Sequence, residues 1–210
     1  MNYDELMADN NYKEIASLEY ADIKSFIVSE IEKRSLWARV AMIYQIIGLL
    51  AFVLGVYKAF MSYFANQQSV DLWWLLGGFI FTFSVLIIIH ELIHAIAYKY
   101  IGAKHLSFGM NLKKFIFYVQ AEKEVLNYKQ FKIVALAPTL TVFVLSLFGM
   151  IVFYKLPAFY FFIPIFAFHS IFCAGDFGLL SFFSNRQNLE IVTFDIKAEG
   201  KTYFYGKENV

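Results

Sequence analysis

Apolar positions along this chain fall in long unbroken blocks separated by short polar stretches. Four blocks stand out, at about 37–57, 72–98, 131–154 and 158–183. Each holds about 20 residues or more, the length a helix needs to cross a hydrocarbon core. Between the second and third, the period changes. Leu106, Phe108, Met110 and Leu112 alternate with other residues, and so do Phe115, Phe117 and Val119, with Gly109 to Lys114 as turn material. That alternation predicts a β-hairpin within 103–127. In the tail, Glu190 to Ile196 and Thr202 to Tyr205 read as two further strands joined through Ala198-Glu199-Gly200. Before the first block, Leu18, Ile23, Phe26, Ile27, Ile31 and Leu36 recur at helical spacing, which predicts one amphipathic helix over 17–36.

The pattern gives a fold class: an α-helical integral membrane protein, with four transmembrane helices and small β-hairpins at the cytoplasmic side. Its expected parts are a cytoplasmic amphipathic segment (1–36), a four-span membrane domain (37–184, carrying hairpin 103–127) and a cytoplasmic tail with a short hairpin (185–210). Composition agrees. The chain is 60% hydrophobic and 17% charged, against about 45–50% and about 25% for soluble domains. The net charge of +1 offers no basis for nucleic-acid binding. The single cysteine, Cys173, excludes an intrachain disulfide and gives no cysteine cluster for metal. Residues 1–10 lack a basic n-region and an apolar h-region, so no cleavable signal peptide is expected.

Lysine and arginine set the orientation. Seven lysines lie from Lys99 to Lys132, between blocks two and three, while the connection between three and four offers only Lys155 and Met61 to Asp71 has no basic residue. Four spans with both termini in the cytoplasm accommodate this, and the expected location is a cell membrane, as a bacterial multi-pass protein.

The second block contains His90-Glu91-Leu92-Ile93-His94. On a helix the two histidines stand one turn apart on one face and can grip one metal ion, while Glu91 can reach a water there as general base. Ionisable groups in the middle of a span are costly and point to function. A catalytic zinc site needs a third protein ligand and an open position. Asp176, in Gly175-Asp176 late in the fourth block, is the candidate at matching depth, because both blocks run toward the cytoplasm. His169 is the rival ligand, or a group that hydrogen-bonds one. His105 falls in the hairpin region.

A His-Glu-x-x-His motif in one span and an aspartate late in another resembles the site-2 protease group of intramembrane zinc metalloproteases. The four-span layout with Gly175-Asp176 is closer still to the bacterial family described as putative zincin peptidases, over roughly 35–205. The resemblance implies that His90, His94 and Asp176 bind Zn2+ and that Glu91 activates water. Ile93 stands where site-2 proteases often have glycine, their late Asp-Gly reads Gly-Asp here, and no PDZ-like insertion is present. The expected function is zinc-dependent intramembrane cleavage of a membrane-anchored polypeptide. The alternative is a transporter component or scaffold whose metal is structural, or whose His/Glu/Asp set relays protons.

Overall fold

The computed structural model describes residues 1–20, 22–111 and 116–208. The hairpin turn expected at Gly109 to Lys114 lies partly outside them. The chain is mostly helical, with a four-stranded and a two-stranded antiparallel sheet. It divides into two compact units: Met1–Arg39, Glu91–Ala137 and Gly175–Val210 form the first, and Val40–His90 and Pro138–Ala174 the second.

In the first unit, β5 (Leu189–Ile196) and β6 (Lys201–Glu208) form the tail hairpin. They are joined by a 3-10 turn at Lys197–Glu199 and by Gly200, whose φ of 64° is the left-handed region that suits glycine. β4 (Leu126–Asn127) pairs with β5, and β1 (Lys13–Glu19) pairs with β6, so the sheet order is β1-β6-β5-β4. Successive residues of β5 point to opposite faces, and both faces are covered. Ile191 joins Phe204 in a core with Phe182, Phe183 and Phe131. Val192 and Phe194 pack with Leu6, from the short helix α1 (Tyr3–Ala8), and with Tyr12.

The sheet overturns part of the amphipathic-helix expectation. Residues 17–19 are strand, and α2 occupies only Ile23–Glu32. Ile15 and Leu18 pack against the core from the edge strand, and burial between β6 and the helices outweighs the helical spacing there.

Hairpin 103–127 is present as β2 (Leu106–Asn111) and β3 (Ile116–Ala121), paired antiparallel with Phe108 opposite Val119.

Among the described residues, three helices are long and apolar enough to cross a membrane: α3 (Leu36–Asn66), α6 (Tyr128–Val152) and the run Phe159–Ser184 made of α7 (Phe159–Phe172) and α8 (Ala174–Ser184). A fourth arises if α4 (Val70–Thr82) and α5 (Val85–Tyr100), bent by 46°, count as one span. The bend has a local cause. Thr82 Oγ1 donates to the Gly78 carbonyl at 2.7 Å and Ser84 Oγ to the Ile80 carbonyl at 2.6 Å. Such back-bonding by hydroxyls to the preceding turn bends helices.

α6 starts three residues earlier than its apolar block. Asn127 and Gln130 form reciprocal bonds, Gln130 N to Asn127 Oδ1 at 3.0 Å and Asn127 N to Gln130 Oε1 at 3.1 Å. That capping box fixes the start, and Pro138 lies well inside the helix.

In the second unit, α4 and α7 pack closely at Gly78, where an added Cβ would lie 2.1 Å from the Phe161 carbonyl oxygen. Only glycine permits that approach.

Candidate metal centre

α5 carries the His-Glu-x-x-His motif in its second turn and beyond, so His90 and His94 share a face. Both are buried, at 7% and 8% exposure.

Within the first unit, His94 is held from two sides. Its Nδ1 lies 3.0 Å from the Val134 carbonyl of α6. A carbonyl can only accept, so Nδ1 carries the proton and Nε2 is turned to Asp176, whose Oδ1 is 3.3 Å away. Two ligands of a tetrahedral zinc at about 2.0–2.2 Å stand about 3.4 Å apart. The His94–Asp176 separation therefore fits one edge of such a site. The Val134 carbonyl does what outer partners of metal-binding histidines do, fixing tautomer and ring direction.

Asp176 owes its place to a break in the last span. α7 closes at Phe172 with Cys173 as its cap, and α8 opens at Ala174. Asp176 then sits in the first turn of α8, where the helix dipole favours a negative charge. The break falls at Cys173, just before Gly175, and Gly178 lies inside α8. Gly178 is where α2 closes in, since an added Cβ there would meet Ile27 Cγ2 at 2.6 Å.

Glu91 accepts a hydrogen bond from the Val119 amide of β3. The strand pairing explains why that amide is aimed there. Glu122 N donates to the His105 carbonyl at 3.1 Å, and bonds alternate along an antiparallel pair. Tyr118 and Gln120 therefore face β2 with their backbone groups, while Val119 faces away from it. The hairpin thus presents extended backbone beside the candidate base. His105 itself precedes β2 and contributes its carbonyl to the pairing.

Within the second unit, His90 Nδ1 lies 3.1 Å from His169 Nε2, and His169 is fully buried in α7. Cys173 Sγ is 3.6 Å from His169 Nδ1 and 3.8 Å from Nε2. Sequence reasoning gave Cys173 no part in a metal group; the His169-x-x-x-Cys173 spacing, one helical turn, was the signal for this neighbour. The Val134 carbonyl left no trace in side-chain chemistry.

A family model described as putative zincin peptidase matches residues 83–188, half of the 210-residue chain. Comparison with curated proteins and with solved structures gives no match.

Proposed function

Since the chain belongs to the putative zincin peptidase family, which implies a zinc metallopeptidase, we propose that it is an intramembrane endopeptidase that cuts a membrane-anchored polypeptide. His90, His94 and Asp176 would hold the zinc ion, His90 through Nε2, and Glu91 is the general base. The observation that carries this reading is the fixed His94–Asp176 pair, 3.3 Å apart, whose His94 stands on the same helix as His90 and Glu91.

A zinc ion bound there supplies a Lewis acid that polarises the scissile carbonyl and acidifies water. Glu91 takes the proton of the attacking water and delivers it to the leaving nitrogen as the amide breaks. The Val119 amide holds the Glu91 carboxylate in place through that transfer. A helical amide is shielded by its own turn, so the substrate must unwind to react. Extended backbone at β3 offers such a segment a strand to lie along.

In this reading the bent α4–α5 pair is one span, giving four in all, with both termini in the cytoplasm of a bacterial cell. The lysines between Lys99 and Lys132 support that orientation. Water then reaches Glu91 from the cytoplasmic side.

The test is reconstitution of the purified chain in lipid vesicles with single-span model substrates, wild type beside Glu91→Gln. Both forms should bind about one zinc per chain, and only the wild type should cleave. Cleavage by Glu91→Gln at the wild-type rate, or a wild type that takes up no zinc, would defeat the reading and leave the transporter or scaffold class.

A further inference from the structure

The second unit contains a group of metal-binding side chains that the peptidase reading does not use as a set. His90, His169 and Cys173 are at 7%, 0% and 0% exposure. Each offers one ligand atom within 4.8 Å of the other two. His169 and Cys173 are one turn apart at the end of α7, and His90 meets them from α5.

The spacing suits an ion. With metal–nitrogen bonds of about 2.0–2.1 Å and a metal–sulfur bond of about 2.3 Å, a tetrahedral site has edges of about 3.4 Å between nitrogens and about 3.6 Å from nitrogen to sulfur. The observed edges are 3.1 Å from His90 Nδ1 to His169 Nε2 and 3.8 Å from His169 Nε2 to Cys173 Sγ. Both edges fall within about 0.3 Å of those values. Two imidazoles and a thiolate select borderline to soft cations such as Zn2+ and Co2+ over Mg2+ or Ca2+.

We propose that His90, His169 and Cys173 form a second, sulfur-containing metal site that takes a thiophilic divalent cation. On binding, the Cys173 S–H bond breaks, its proton passes to solvent and a sulfur–metal bond forms.

One consequence rests on the peptidase reading. A neutral imidazole has one bare nitrogen. The inner set uses Nδ1 of His90, whereas the peptidase set would use Nε2. One tautomer serves one set at a time, so the two sets compete for His90. A metal parked on Cys173 takes His90 away from the reacting centre.

The experiment is titration of the metal-stripped chain, in detergent micelles, with Co2+ alone. Cys173 is the single cysteine, so a sulfur-to-cobalt charge-transfer band in the near ultraviolet can come from nowhere else. The band should appear in the wild type and grow in His94→Ala and Asp176→Ala, where the competing set is broken. Cys173→Ser and His169→Gln should abolish it, with circular dichroism showing that they fold, and Cys173→Ala serves if Cys173→Ser does not. Cys173→Ser should still bind about one cobalt per chain on nitrogen and oxygen ligands. A wild type and a His94→Ala that both saturate without the band would overturn the proposal. Loss of all cobalt from a folded Cys173→Ser would instead defeat the peptidase set and leave the inner site standing.

Discussion

Glu30 ties α2 to the end of α8, and its removal has a size that the structure fixes. The side chain is 2% exposed. It accepts from Lys33 Nζ at 2.6 Å, from Asn185 Nδ2 at 2.9 Å and from both terminal nitrogens of Arg186 at 3.1 Å each. Burial pushes its pKa up, but the hydrogen bonds from Arg186, Lys33 and Asn185 outweigh burial and carry it from 4.5 down to about 2. Breaking a buried ion pair by deleting one partner costs about 3–5 kcal/mol. Here Arg186 and Lys33 keep 28% and 47% side-chain exposure and can turn to water. The low end therefore applies to Glu30→Ala, about 3 kcal/mol. Glu30→Gln keeps the shape and an acceptor for Asn185 but loses the charge, and should cost about half as much. For a chain of this length 1 kcal/mol moves Tm by about 2–4 °C, so Glu30→Ala should melt ~6–12 °C below wild type at pH 7. Because the folded pKa is depressed, the contribution is complete above pH 4.5 and is lost as pH falls toward about 2. Thermal unfolding in detergent, followed by circular dichroism between pH 7 and 3, reads both effects. A Tm change under about 1 °C at pH 7, or a gap between the two proteins that widens on acidification, would refute the reasoning.

Three further outcomes are expected. Asp195 is raised by burial and by nearby Glu122, against the Thr202 hydrogen bond, from 3.8 to about 6; its charge opposes folding, so wild-type stability should fall as pH rises from about 4 to about 6, and Asp195→Asn should remove that fall and gain about 2 kcal/mol at pH 8 by denaturant titration. Phe204 is fully buried, with its ring centroid 4.3 Å from that of Phe182, and Phe204→Ala should cost about 3–5 kcal/mol in the same assay. Zinc content measured in a Cys173→Ser background should be about one per chain and should be lost on adding His94→Ala or Asp176→Ala, a result that atomic absorption checks directly.

The apolar blocks, the alternation at 106–119 and the tail strands were legible because each rests on a periodicity that one short window contains. What stayed hidden depends on partners far along the chain. Ser17 to Glu19 read as the start of a helix by their spacing, and belong instead to strand Lys13–Glu19 because β6 lies beside it. The bend between α4 and α5 follows from two hydroxyls, Thr82 and Ser84, that an apolar window averages away. The early start of α6 was visible in Asn127 and Gln130, but the hydropathy boundary at Phe131 masked it. At the candidate centre, the motif residues were readable from types and spacing. The Val134 carbonyl and the Val119 amide were not, because backbone groups carry no identity in a sequence. Glu30 was passed over for a related reason: its partners Asn185 and Arg186 stand at the far end of the chain.

The pairing of β1 with β6 bears on how the molecule is made. Lys13–Glu19 is synthesised well before its partner Lys201–Glu208, which follows only after every candidate span among the described residues. The strand cannot bury its apolar side until β6 emerges, so the first unit stays unfinished while the candidate spans are made. Until then Ile15, Leu18 and the aromatic side chains that Phe204 will cover are exposed to other chains and to chaperones. A nascent copy therefore carries its His-Glu-x-x-His helix before the first unit that contains Glu91, His94 and Asp176 can close, and the pairing of β6 with β1 is the step that ends that interval.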